Sequence, residues 1–164
     1  MDAFAQAISG TGLSRTIAQI TWIIPWLQTF HIAALALVFG SVFMMSARIL
    51  GLTGTSQTMT QTVRRYVPWV WIGTAFLAVT GGLLVIGEPV RSLVNVFFWT
   101  KMGLLVVVLG LTAAFQTSLR RDPAFWEDLD WRGPVRFVTL VGLAAWIGII
   151  VMGRFIAYVD NFIY

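Results

Sequence analysis

Residues 23–50, 66–87, 93–119 and 135–159 form four stretches built almost entirely from Leu, Ile, Val, Phe, Ala, Gly and Trp. About 20 mostly apolar residues cross the roughly 30 Å hydrocarbon core of a bilayer, and each stretch meets that length. A backbone in lipid must satisfy its own polar groups, so only helices or closed barrels are available to it. Segments of this length without period-2 alternation are helices. The expected fold is therefore all-α, an integral membrane four-helix bundle running up-down-up-down, with a short N-terminal interfacial helix. The four spans use up most of the chain, which reads as a single transmembrane domain over residues 1–164. Hydrophobic residues make up 58% of it and charged residues 11%, which excludes an ordinary water-soluble domain. The longest polar connection, 120–134, is too short to bury a core of its own. Any activity is expected within or against the membrane.

The connections carry helix breakers: "GLTGTSQTMTQTVRRYVPW", "IGEPVRS" and "RRDPAFWEDLDWRGP". The third is amphiphilic, with Phe125, Trp126 and Trp131 beside Asp122, Glu127, Asp128 and Asp130. It is expected at the cytoplasmic interface, where tryptophans settle. Arg48, Arg64 and Arg65 lie between the first and second spans, and Arg120, Arg121, Arg132 and Arg136 between the third and fourth. The opposite side holds little beyond Arg15 and Arg91, so the positive-inside rule places both termini outside the cytoplasm. Because the basic residues sit at helix ends and do not form a patch with aromatics, the net charge of +4 is read as topology and no nucleic-acid partner is expected. The opening "MDAFAQAISGTGLSRTIAQ" lacks the basic start and compact apolar core of a signal peptide. It is read as an outer-surface helix with Ser14 as N-cap and Phe4, Ile8 and Ile17 against the bilayer.

Small residues recur at helical spacing: Ala33, Ala36 and Gly40; Thr74, Ala78 and Gly81; Gly103 and Gly110; Gly142, Ala145 and Gly148. Such stripes let helix backbones approach, either inside one bundle or against another subunit or a second copy of the chain.

Ionisable groups inside a span are costly, so their depth is informative. His31, the only histidine, lies several residues into the first helix, and Lys101 lies about as far into the third. Arg154 is in the last turns of the fourth. At about 1.5 Å per residue all three fall in the outer half of the bilayer. Gln28 is one turn above His31, Glu88 closes the second helix, and Tyr158 is one turn beyond Arg154. Three uses suit this cluster. His31 can be an axial ligand of haem b iron, with Lys101 and Arg154 on the propionates and the other axial position open or filled by Met102 or Met152. It can hydrogen-bond a quinone carbonyl or another small headgroup. Or the cluster is structural, with Lys101 and Arg154 snorkelling or paired with Glu88 and Asp160 and His31 bonded to a neighbouring helix. The chain has no second histidine, so a haem here would need a Met ligand, an open site or a histidine from another subunit, and thiolate chemistry is excluded by the lack of cysteine. A metal centre from this chain alone is not expected, and His31 enters as a metal ligand only through haem iron. The inner halves of the helices offer few polar groups, namely Ser41, Ser46, Thr112 and Gln116. No phosphate-binding, serine-hydrolase or zinc-protease motif is present.

"FHIAALALVFGSVFMMSARILG", "RRYVPWVWIGTAFLAVTGGLLVIGEP", "FFWTKMGLLVVVLG" and "WIGIIVMGRFIAYV" together resemble an uncharacterised family of bacterial four-helix inner-membrane proteins and, more distantly, the copper-resistance D type membrane proteins. The resemblance covers about residues 25–159. It implies a bacterial inner membrane, whose periplasmic side is then where the arginine distribution places both termini, and polar positions at His31, at Arg48 with Leu50 and Gly51, and at Lys101, with Arg154 in "GRFIAY". Where that family often has an acid two residues before the arginine, Ser46 stands here, so the resemblance does not imply an Asp–Arg pair. These readings lead to a non-enzymatic subunit that anchors or assists a larger membrane complex in haem- or quinone-linked electron transfer, with lipid and other membrane subunits or a second copy as partners. The alternative is a small transporter or channel for a metal ion, proton or anion.

Overall fold

The computed structural model describes residues 2–53, 56–127 and 132–156. They form eight helices and, among the described residues, no strand: α1 (Asp2–Ser9), α2 (Gly12–Gln19), α3 (Ile23–Ile49), α4 (Met59–Gly87), α5 (Pro89–Leu93), α6 (Val96–Arg121), α7 (Pro123–Glu127) and α8 (Arg132–Ile156). The four long ones, α3, α4, α6 and α8, are the apolar segments, each long enough to cross a bilayer. The chain is a multi-pass membrane protein with the expected four-helix up-down-up-down bundle.

The bundle is two antiparallel hairpins, α3 with α4 and α6 with α8, joined where α3 meets α8; α4 and α6 touch only sparsely. One end carries Arg48, Arg64, Arg65, Arg120 and Arg121, and is called the basic end below. The other, the histidine end, carries His31, Arg91, Lys101 and Arg154. The α3–α4 seam holds Ala34, Val38, Val42 and Met45 against Val63, Val67, Val70 and Leu77. At Gly73 a Cβ would stand 2.5 Å from Val38 Cγ2, so only glycine permits this approach. Val108, Trp146 and Ile149 form the buried centre contributed by α6 and α8. Lipid is as apolar as these side chains, so this close packing, and not burial from water, holds the helices together.

The turn from α3 to α4 is written into local chemistry. Gly51 adopts φ 78°, the left-handed conformation that ends helices, with Leu52 N–H donating to Ala47 O at 2.8 Å and Gly51 N–H to Arg48 O at 3.1 Å. The buried Arg48 donates from Nε and Nη2 to the Gln57 carbonyl at 3.0 and 2.8 Å. Thr58 and Gln61 then form a reciprocal capping box. This cap starts α4 at Met59, seven residues before the apolar run at Tyr66. Glu127 of α7 accepts from Met59 N–H at 2.6 Å, putting a carboxylate on the positive end of α4. Glu127→Ala is expected to fray that first turn at a cost of about 1 kcal/mol, read as faster amide exchange at Met59 to Thr62 with the mid-membrane residues unchanged.

Several expectations need correction. The N-terminal segment is two helices, and the N-cap of α2 is Thr11, whose hydroxyl accepts from Ser14 N–H at 3.3 Å; Ser14 itself is buried. Ile17 does not face lipid. It is buried where a Cβ on Gly87 would stand 2.7 Å from its Cγ2, because α2 packs over α3 and α4 as a cap on the bundle. Phe4 does remain exposed. In the third connection Trp126 packs back on α6: its ring meets Phe115 edge-on at 4.6 Å and its Nε1 donates to Ser118 Oγ at 3.1 Å, because a half-buried indole needs one hydrogen-bond acceptor. Asp128, Asp130 and Trp131 lie outside the described residues.

Candidate functional site

His31 leaves α3 toward α4, where its Nδ1 is 2.8 Å from Thr80 Oγ1. The Thr80 hydroxyl also lies 2.9 Å from Phe76 O, a carbonyl that can only accept. With the hydroxyl proton on the Phe76 carbonyl, Thr80 Oγ1 accepts from His31 Nδ1–H. On this network we assign the Nδ1–H tautomer, which leaves Nε2 as an acceptor. The ring edge rests on bare backbone, since a Cβ on Gly81 would stand 3.2 Å from His31 Cε1. Among the described residues nothing bonds Nε2. The imidazole is thus held on one side by α4 and has its other nitrogen unsatisfied, half-buried about 12 Å along α3 from its start.

Lys101 is half-buried on α6, and its Nζ sits over α8 where a Cβ on Gly153 would be 3.4 Å away. It lies at the same end of the bundle as His31. At this end the fold brings His31 to Thr80 and Gly81, and Lys101 to Gly153. Arg154 follows Gly153 and is exposed at the same end. Gln28, one turn before His31, is also exposed. Met102 is turned about 100° from Lys101 around α6 and is exposed, while Met152 is half-buried on α8. Tyr158 and Asp160 lie outside the described residues. Glu88 caps α4 and pairs with Arg91 at 3.2 Å, its nearest cation being local and not Lys101. Thr80 was missed by the reading of the sequence; it stands about as far from the histidine end of α4 as His31 does from that of α3, a matching depth that narrows the choice without fixing which face of α4 meets α3.

The basic half of the bundle is different in kind. A cavity of about 380 Å³ lies between α3, α6 and α8, walled mainly by apolar side chains such as Val42, Phe115, Val138 and Trp146. Of its hydroxyls, Thr112 donates to Val108 O and Thr139 to Val135 O, both at 2.8 Å, Ser118 Oγ accepts from Trp126 Nε1, and Ser46 also lines the wall. Ser41, one turn deeper on α3 than Leu37, likewise donates to the Leu37 carbonyl at 2.8 Å. Gln116 Oε1 accepts from Trp71 Nε1 at 3.1 Å. Among the described residues no three His, Cys, Asp or Glu side chains gather as a metal site would require.

No family model, curated protein or solved structure matches this chain.

Proposed function

We propose that the chain is a non-enzymatic integral membrane subunit that supports a larger redox complex by seating a quinone-type headgroup between His31 and Lys101, with the basic end toward the cytoplasm. The observation that carries this reading is the pinned imidazole, held at Nδ1 by Thr80 and open at Nε2. An Nε2 lone pair accepts a hydroxyl proton, and a nearby ammonium donates to a carbonyl oxygen, so the pair offers the complementary acceptor and donor that a hydroquinone or quinone oxygen needs. For haem the donor set is thinner: His31 supplies one axial nitrogen, and Met102 is turned to the outer surface. The transporter reading is disfavoured by the basic half, where Thr112 and Thr139 donate to carbonyls of their own helices and the cavity wall is mainly apolar.

The subunit part rests on exposed small residues. Gly40, Gly103 and Gly110 are exposed and have nothing within 4 Å of where a Cβ would be, whereas Gly73, Gly81 and Gly148 are used in packing within the chain. The outward glycines leave room for helices of other subunits.

Titrating the purified chain with a short-chain benzoquinone analogue is the direct test. His31→Ala is expected to weaken binding at least tenfold, and Thr80→Val about fivefold, the worth of one neutral hydrogen bond. Wild-type protein that does not bind the analogue, or His31→Ala protein that binds it equally well, overturns the quinone reading. Gentle extraction from native membranes that yields the chain alone overturns the subunit reading.

A further inference from the structure

The sparse contact between α4 and α6 leaves a groove of about 560 Å³ at the basic end. Val67, Pro68 and Trp71 of α4 form one wall, and Gln116 and Leu119 of α6 the other. The Trp71–Gln116 hydrogen bond crosses between the two helices within this groove. Pro68 has no N–H to give the Arg64 carbonyl four residues before it, which loosens α4 along the groove. Two arginines from different helices, Arg64 and Arg120, also line it. Both are exposed, and among the described residues neither guanidinium has an ion pair or hydrogen-bond partner. The described acids at this end are engaged elsewhere, Asp122 accepting from Phe125 N–H and Glu127 from Met59 N–H.

Arg64 lies five residues into α4 and Arg120 one residue from the end of α6, the level at which long helices leave the hydrocarbon core. The groove is therefore amphipathic along its length, cationic at the polar boundary and apolar toward the membrane interior. A basic pocket between transmembrane helices suits an anionic headgroup, and an apolar bed beneath it suits an acyl chain. We propose that this groove seats one anionic phospholipid, its phosphodiester between the Arg64 and Arg120 guanidiniums and one acyl chain along Val67, Pro68 and Trp71. A free anion would use the arginines and leave the bed unfilled; a partner helix would fill the bed and leave two cations uncompensated. The bound lipid bridges α4 and α6 where the protein itself makes few contacts, so it also closes the weakest seam of the bundle.

Native mass spectrometry of the full chain in detergent, titrated with phosphatidylglycerol or with phosphatidylcholine of the same acyl chains, tests this. Wild-type protein is expected to retain one phosphatidylglycerol at about tenfold lower lipid concentration than phosphatidylcholine. R64Q/R120Q is expected to lose that preference, with helical circular dichroism unchanged because both side chains are exposed. R65Q/R121Q, which alters arginines at the same end that do not line the groove, is expected to keep it. The single variant R120Q, with an intermediate loss, serves if the double variant does not fold. Equal retention of the two lipids by wild type, a preference that survives R64Q/R120Q, an equal loss in R65Q/R121Q, or displacement of the lipid by inorganic phosphate overturns the proposal.

Discussion

Gly73→Leu is expected to split the α3–α4 hairpin. A Cβ at this position would already stand 2.5 Å from Val38 Cγ2 and 3.6 Å from Ala34 O, and Val38 is fully buried, so it has nowhere to retreat. Valine is also stiff at χ1 in a helix, which removes the cheap rotamer change that a longer side chain would allow. Forcing extra carbons into such a contact costs about 1 to 3 kcal/mol, and the leucine belongs at the upper end of that range. Unfolding of the purified protein in mixed micelles measures it. His31 and Thr80 bond across the same seam, so the variant is expected to lose quinone-analogue binding together with stability. Gly40→Leu, at a position with nothing within 4 Å, is the matched control and is expected to leave the unfolding midpoint of the isolated chain in place. Equal midpoints for Gly73→Leu and Gly40→Leu would show that the seam is not packed as described.

Trp146→Ala is expected to be the most damaging truncation. Trp146 is the largest side chain that is fully buried among the described residues, at 1% exposure, and it joins Val108 of α6 and Ile149 in the cluster that holds α8 in the bundle. Its removal would enlarge the 380 Å³ cavity it lines. Lost contacts and an unfilled void together cost about 3 to 5 kcal/mol in a core, and in lipid the lost contacts weigh most because packing is the main force between helices. Trp69→Ala, at a residue that is half exposed, is expected to change stability by less than about 0.5 kcal/mol. The same mixed-micelle unfolding assay separates the two, and a Trp146→Ala loss no larger than that of Trp69→Ala would contradict this account of the core.

How legible the site was depends on the kind of interaction. The depth of His31 and Lys101 could be counted along helices, and the fold places both at the histidine end. Thr80 could not be chosen from the other hydroxyls without knowing which face of α4 meets α3. Gly81 and Gly153 looked like members of packing stripes or like unremarkable glycines, and their role as seats for an imidazole and an ammonium exists only once two helices are in register. Met102 shows the converse, a residue at the right depth whose rotation around α6 turns it outward.

Four membrane-crossing helices, their order and the ends at which the arginines collect were determined by the sequence alone, because bilayer thickness and backbone satisfaction act on each segment independently of its neighbours. The cap at Thr58 and Gln61 and the stop at Gly51 belong to the same local class, readable over a few residues. Only the tertiary structure decided that α3 pairs most closely with α4, that α4 and α6 stand apart over a groove, and that Thr80 holds His31. Lipid surrounds every apolar face equally well, so hydrophobicity cannot say which faces meet. Shape at a few glycines and the pairing of scarce polar groups make that choice, and both are properties of helices already side by side.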